Sequence, residues 1–487
     1  MRMARVYVVC IAILSGFFVS RGAIGAPKRS ADPPKGAPAY EASPRPDDGA
    51  NMALTVEKLN LQKGFDPDRP LLIWAIGSSF TNAQGNGSEL IGMIRQRFPN
   101  APKIVYKKMA GCSTSYHFLR GWARHLVIPD QPDVVLMYNY GKTEELEKVI
   151  VDLRRHTTAD IIVPTLHWCI PHKKVWPNPE LKNSHQDPPG LRAMCKKHGV
   201  EFVESRRELT EYMLANKLEM EDMLADSVHQ NRFASKSINA NIARHFHAAK
   251  RPAYDPRSRE RRLEMEDSSA VEFDRKDWKP GEAGKTLTAD RKGASVSVRF
   301  TGNRIDLIGR GAAKGGSVDV FLDGKPVVQT EAFYAGYVQP NKANAVKPPM
   351  PPRDRCPHGV TLGKNIVPQK WTIAVTSDQG DFELTGSLTG PDGRGNSSQP
   401  FQSTSGQIII DPELWRAANT NRGGDLFTFD VTRCVTETVS FKAPERQKFR
   451  VRLTENLPNK QHTLKLVANG DGPVTIDAFD VFEPALK

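Results

Sequence analysis

Leu71-Leu72-Ile73-Trp74-Ala75-Ile76-Gly77-Ser78-Ser79-Phe80-Thr81 is an apolar run that ends in a tight Gly-Ser-Ser turn. Such a run, free of charge and closed by a glycine, reads as a strand buried on both faces. Similar runs recur at 103–108, 134–138, 161–165 and 200–204. Helical patterns separate them, at 88–97, 144–156, 189–198, 207–216 and 234–248. This alternation predicts an α/β fold with a parallel sheet covered on both faces. Open sheets of that kind bind ligands outside the carboxyl ends of their strands. Side chains just beyond each strand are therefore the candidates for chemistry.

Four segments supply such side chains. Ser79 sits in the turn after the first strand, and Leu224-Ala225-Asp226-Ser227-Val228-His229 places an Asp three residues before a His. A serine is a weak nucleophile unless a base lies within hydrogen-bond reach. His229 has the chemistry to take and return its proton, and Asp226 to fix the imidazole tautomer. Gly111, after the second strand, would let a backbone N–H approach a substrate oxygen closely. Asn139, after Pro132-Asp133-Val134-Val135-Leu136-Met137-Tyr138, could donate its amide to the same oxyanion. Each feature has a plainer role alone: serine and asparagine form turns, and an Asp before a helix caps it. Their order on a βα pattern is what favours catalysis. Cys112 is a rival nucleophile on paper, but His229 is matched to Ser79 by order.

This order of blocks resembles the SGNH (GDSL-type) hydrolase family over residues 70–248. The resemblance implies a flavodoxin-like three-layer α/β domain in which Ser79, Asp226 and His229 form the triad and Gly111 lines the oxyanion hole. Two departures stand out: the family's Gly-Asp-Ser reads Gly77-Ser78-Ser79, and its Gly-x-Asn-Asp block is replaced by Tyr138-Asn139-Tyr140-Gly141-Lys142. Asn139 matches only after a register shift. The Tyr-Gly-Lys-Thr-Glu stretch looks like a divergent branch seen in polysaccharide-degrading bacteria. Family members include lipases, thioesterases and carbohydrate O-acetylesterases.

The chain has 487 residues, long enough for two domains. Arg2 and Arg5 precede an apolar stretch from Val6 to Val19, followed by small residues, which reads as a secretory signal over 1–26. That run is short for a bilayer span, and no later stretch is apolar enough. A secreted or periplasmic location follows, without stable membrane insertion. The formal charge of +13 points to an anionic partner. No nucleic-acid-binding motif accompanies it, so an acylated, anionic polysaccharide is the expected partner. A solvated surface rich in Lys and Arg explains the charge equally well. The mature chain would keep Cys112, Cys169, Cys195, Cys356 and Cys434, too few for a disulfide framework, although a Cys356–Cys434 bridge is open. No Cys/His spacing suggests a zinc site, and no cofactor is expected.

Residues 27–66 read as a flexible leader, 67–250 as the hydrolase-like domain and 251–282 as a charged linker. Beyond, the period changes to two, as in Ser295-Val296-Ser297-Val298-Arg299-Phe300, and Asp323-Gly324 marks a hairpin. Residues 283–487 are expected to form an antiparallel, jelly-roll-like β-sandwich with a Pro-rich irregular insertion at 338–368. Trp371, Trp415, Tyr334 and Tyr337 are candidate sugar platforms there, though such rings are usually core. The segment 167–190 holds His167, Trp168, His172, Trp176 and His185 and would overhang the serine. It reads either as a sugar-contacting surface or as a loop pinned by its tryptophans. The expectation is an exported serine hydrolase that removes O-acyl, chiefly acetyl, groups from a glycan. The alternatives are a glycan-binding scaffold with a decayed hydrolase domain, and an acyl transferase or lipase-like enzyme.

Overall fold

The computed structural model describes residues 31–61, 69–110, 122–138, 140–265, 269–281, 285–330, 333–338, 359–415 and 423–487. Strands β1 (Leu71–Gly77), β2 (Ile104–Ala110), β3 (Val134–Tyr138), β4 (Asp160–Pro164) and β5 (Glu201–Val203) form a parallel sheet in the order β2-β1-β3-β4-β5. Alternate residues of these apolar runs serve opposite faces. Leu71, Ile73, Ala75 and Leu136 share a core with Leu90, Ile94, Ile238 and Ile242. Ile76, Val135, Met137 and Ile161 pack with Val149, Ile150 and Leu153 on the other side. The first group of helices includes α1 (Ala53–Leu59), α3 (Ser88–Arg97), α6 (Ser205–Ala215) and α7 (Arg232–Arg244), and the second α4 (Thr143–His156) and α5 (Pro188–Lys197). A one-turn helix, α2 (Ser79–Ala83), follows β1 directly. The result is the expected three-layer, flavodoxin-like arrangement. Chain order reverses between β1 and β3, so the switch point lies beside Ser79.

The stretch expected to be a flexible leader is ordered where it is described. Met52, Val56 and Leu59 enter the core under the sheet. Tyr40 Oη donates to Asn241 Oδ1 at 2.6 Å, and Gly49 N donates to Glu201 Oε1 at 2.7 Å. Met52, Ala53, Leu54, Val56 and Leu59 are all buried, which anchors the stretch despite its polar composition.

From Glu260 onward the sheets are antiparallel. One six-stranded sheet is built on Ser295–Gly302, Lys460–Ala468 and Ser317–Leu322, and a second on Arg304–Gly311, Val474–Phe482 and Gln447–Thr454. Val296, Val298, Leu464 and Leu466 of the first share a core with Ile305, Leu307, Ile476 and Phe479 of the second, which makes a β-sandwich. Strands Glu260–Glu264, Val271–Phe273 and Lys279–Pro280 fall within 251–282, read as a linker, and pair into these two sheets. Strands between Tyr334 and Arg433 build a smaller β-unit with its own core of Trp371, Ile373, Phe382, Trp415 and Phe429. Trp371 and Trp415 are therefore core residues, not sugar platforms, because both are buried. Tyr334 packs between the two β cores, and the side chain of Tyr337 lies outside the described residues. So does Cys356, expected partner of Cys434, and most of the Pro-rich insertion.

A buried charge cluster joins the α/β sheet to the sandwich. Lys58 Nζ lies 2.6 Å from Asp133 Oδ1 and 2.7 Å from Glu260 Oε1, and Arg69 Nη2 lies 3.1 Å from Asp133 Oδ1. Thr158 Oγ1 donates to Glu260, and Leu72 N donates to Asp133 Oδ2 at 2.7 Å. Each carboxylate thus has charged and neutral partners, which burial of charge requires.

Candidate active site

The turn after β1 is fixed from three sides. Ser78 is buried and caps α2, its hydroxyl accepting from Phe80 N at 3.3 Å. Thr81 Oγ1 donates to the Tyr138 carbonyl at the end of β3. Gly77 makes this approach feasible: a Cβ there would stand 1.9 Å from Thr81 Oγ1 and 2.5 Å from Tyr138 O. Phe80 points into the core, and Ser79 faces solvent.

Asp226 and His229 meet as expected. His229 Nδ1 lies 2.8 Å from Asp226 Oδ2, while Asp226 Oδ1 accepts from the backbone N–H of His229 at 2.7 Å and of Val228 at 2.8 Å. Burial works against ionisation of Asp226, but these N–H donors and the imidazole outweigh it and hold the carboxyl below its ordinary value. An Nδ1–H bonded to a carboxylate leaves the His229 Nε2 lone pair free as a base. The segment is closed on itself by a bridge between Leu224 and Gln230 and by Ala225 N donating to His229 O at 2.8 Å. The His229 ring centroid lies 5.7 Å from that of Phe80, the residue after Ser79. Gln230 Nε2 donates to Phe80 O at 2.9 Å. The structure thus brings Asp226 and His229 together and sets them beside the Ser79 turn, with no hydrogen bond from Ser79 Oγ among the described residues. Gly111 and Asn139 lie outside the described residues.

The histidine-rich segment after β4 is largely interior. Trp168 Nε1 donates to Thr210 Oγ1 at 2.7 Å, and Trp168 meets Trp176 edge-on at 5.3 Å, so the tryptophans pin the loop. His167 is buried 5.1 Å from Phe80, ring to ring. Its Nε2 lies 2.8 Å from Val228 O and its Nδ1 2.6 Å from Tyr138 Oη. Burial, aided by the nearby Arg206 charge, pulls the imidazole down to about 3. His172 is likewise pulled to about 3 by burial and Arg206. Arg206 itself is buried, with its guanidinium 5.0 Å over the Trp168 ring and Nε donating to Leu166 O at 2.7 Å. Trp168, His167 and His172 thus follow the pinned-loop reading and form a wall behind the turn; His185 and Tyr140 are half-buried, each 5.8 Å from Phe80 by ring centroid.

Cys169 Sγ and ring nitrogens of His172 and His185 lie within 4.8 Å of one another, a proximity their spacing did not suggest. Their hydrogen bonds describe a relay better than a ligand set. Cys169 N donates to His172 Nδ1 at 3.1 Å, which leaves the proton on His172 Nε2, 3.0 Å from His185 Nδ1. The Cys169 thiol, pushed by burial to about 12, donates to Val228 O at 3.2 Å. Two of the three ligand atoms therefore carry protons.

No protein-family model and no curated protein matches the sequence. Solved structures do. A two-domain esterase (CEX) active on acetylated mannans is 12% identical, covering 89% of this chain and 95% of that one, with a TM-score of 0.33. An acetylxylan esterase from Geobacillus stearothermophilus is 15% identical over 38% of this chain and 97% of its own, with a TM-score of 0.29. At these values neither assigns an activity to this chain. The sheet order, the serine turn after β1 and the Asp-x-x-His before the last α/β helix together give a three-layer α/β fold of the kind the sequence resemblance implies, followed by antiparallel β-sheets.

Proposed function

We propose that the protein is an exported serine esterase that removes O-acyl groups, most simply acetyl, from a polysaccharide. The observation that carries this reading is the Asp226–His229 pair held 2.8 Å apart beside the exposed Ser79 turn, at the switch point of a parallel sheet. Ser79 Oγ attacks the ester carbonyl while His229 Nε2 takes its proton. The sugar alkoxide leaves with that proton, and water then hydrolyses the acyl-serine with His229 again as base. Asp226 holds the imidazole in the needed tautomer and stabilises its charged form. The Ser79 N–H, with the Gly111 N–H and the Asn139 amide expected from the sequence, holds the oxyanion. Catalytic hydrogen bonds are often loose without substrate, in keeping with a Ser79 hydroxyl that bonds to no group among the described residues. Tyr140 and His185 suit a ring-stacking and hydroxyl-binding wall for a sugar, and the net positive charge suits an anionic chain.

The test is labelling with a fluorophosphonate probe read by intact mass, together with acetate release from acetylated xylan and mannan. One adduct, absent from Ser79→Ala, with acetate release lost in parallel, is the expected outcome. Full ester hydrolysis by Ser79→Ala would refute the assignment.

A further inference from the structure

We propose that His167 is a positioning residue for the base: a buried neutral imidazole that grips the Val228 carbonyl and so fixes the segment carrying Asp226 and His229. This rests on the reading of His229 as general base given above.

The two ring nitrogens have defined roles. A carbonyl oxygen only accepts, so the 2.8 Å contact with Val228 O places the proton on Nε2. A neutral ring then presents a lone pair at Nδ1, 2.6 Å from Tyr138 Oη, whose O–H donates to it. The Tyr138 oxygen in turn accepts from the His167 backbone N–H at 3.2 Å. Tyr138 ends β3, the strand whose carbonyl also receives the Thr81 hydroxyl from the serine turn. One strand end thus anchors both the nucleophile turn and, through His167, the base segment.

The grip is reinforced along one short stretch. Cys169 Sγ donates to the same Val228 carbonyl at 3.2 Å, and Ile170 N donates to Ser227 O at 2.9 Å. Segment 167–170 thus holds the backbone of 227–228, midway between Asp226 and His229. The groups that act on the His167 ring are Arg206, the His229 and His185 rings and Val228 O. The three cationic or ionisable neighbours oppose a second proton on it, so only the neutral tautomer serves here. A charged His167 would place like charge against the base whenever the base is protonated during turnover.

Misplacing a catalytic group by about 1 Å can cost on the order of 100-fold in rate. We expect His167→Leu to lower kcat for 4-nitrophenyl acetate roughly 10- to 100-fold with KM changed less than about twofold. His167→Gln, whose amide can still donate to Val228 O, should recover most of that loss. Tyr138→Phe, which keeps the Val228 bond, should cost less than His167→Leu and covers the case in which the leucine variant fails to fold. Ring-nitrogen NMR of the wild-type protein supplies a readout independent of activity, and should show His167 as the Nε2–H tautomer at pH 7. An Nδ1–H tautomer or an imidazolium would overturn the proposal. So would a folded His167→Leu protein with wild-type kcat and only a lower melting temperature. If instead the wild type shows no hydrolysis and Ser79 takes no probe, the esterase reading fails, and the NMR result still decides the tautomer that the grip requires.

Discussion

Gln230 Nε2 and the Phe80 carbonyl oxygen are 2.9 Å apart, and this bond ties the residue after His229 to the residue after Ser79. Gln230 is buried, so the bond is shielded from water. It links two segments separated by 150 residues and so bears on how far His229 stands from Ser79. Gln230→Leu should leave the fold intact and lower kcat on a chromogenic acetate ester about tenfold, with KM little changed. An unaltered kcat would show that the Phe80–His229 ring contact alone sets the spacing.

Replacing Asp226 by Asn keeps the size but removes the negative charge that stabilises the His229 imidazolium. The Asn amide can also present a donor to Nδ1 and select the wrong tautomer. A loss on the order of 1000-fold in kcat is expected, smaller than for a fully enclosed triad because Asp226 is exposed to water. Stopped-assay rates on the same ester, compared with Ser79→Ala, measure it. Equal activity of Asp226→Asn and wild type would mean that the carboxylate has no part in turnover.

His167 and His172 are both pulled to about 3 in the folded state, against about 6.5 in an unfolded chain. The unfolded state therefore binds more protons between those values. Stability is complete above pH 6.5 and declines as pH falls through the window, by up to about 1.4 kcal/mol per pH unit for each histidine. Carboxylates held low add the same sign only near and below their unfolded values, 4.5 for Glu260 and 3.8 for Asp226. Thermal melts between pH 7 and 5 stay above that range, and His156 and His185, also lowered by burial, add to the same slope. His172→Gln should flatten the slope by about one histidine's share; an unchanged slope would place the proton uptake elsewhere.

Gly77 is the position where the serine turn tolerates no side chain. An alanine methyl would push against Thr81 Oγ1 and the Tyr138 carbonyl, breaking the bond between them. Gly77→Ala should cost about 2 kcal/mol and shift Ser79 enough to lower kcat. Denaturant unfolding gives the first quantity. A neutral result would mean that the turn yields without strain.

The fold of the α/β region was legible because its strands are short, mostly apolar runs that alternate with helical patterns. The meeting of Asp226 and His229 was legible because the two stand three residues apart in one short segment, and the place of Ser79 because it follows an apolar strand. Their surroundings were not. Tyr138 and His167 are 29 residues apart and meet only through the parallel register of β3 and β4. The segment carrying His167 read equally as a sugar-contacting surface or as a pinned loop, since histidines and tryptophans serve either. It is the burial of Trp168 against Thr210 that carries it inward. The leader misled for a related reason: its composition is polar, yet Met52, Val56 and Leu59 all fall on one helix face against the sheet. Trp371 and Trp415 were open to either a core or a surface reading, and the pairing of Gln369–Val375 with Leu426–Arg433, which closes the small β-unit, decides for the core.

The Lys58–Asp133–Glu260–Arg69 cluster has a consequence for how this chain can be divided. Lys58, Arg69 and Asp133 belong to the α/β region, whereas Glu260 lies on a strand paired with Val474–Phe482 of the sandwich. A cut near residue 250 would leave two cations and one carboxylate on the first fragment and a solitary carboxylate on the second, each stripped of a partner it was buried with. The α/β region is thus not a cassette that can be lifted from its neighbour unchanged. Any transplant of it onto another scaffold would have to carry the Glu260 strand along or rewrite the charges beneath it.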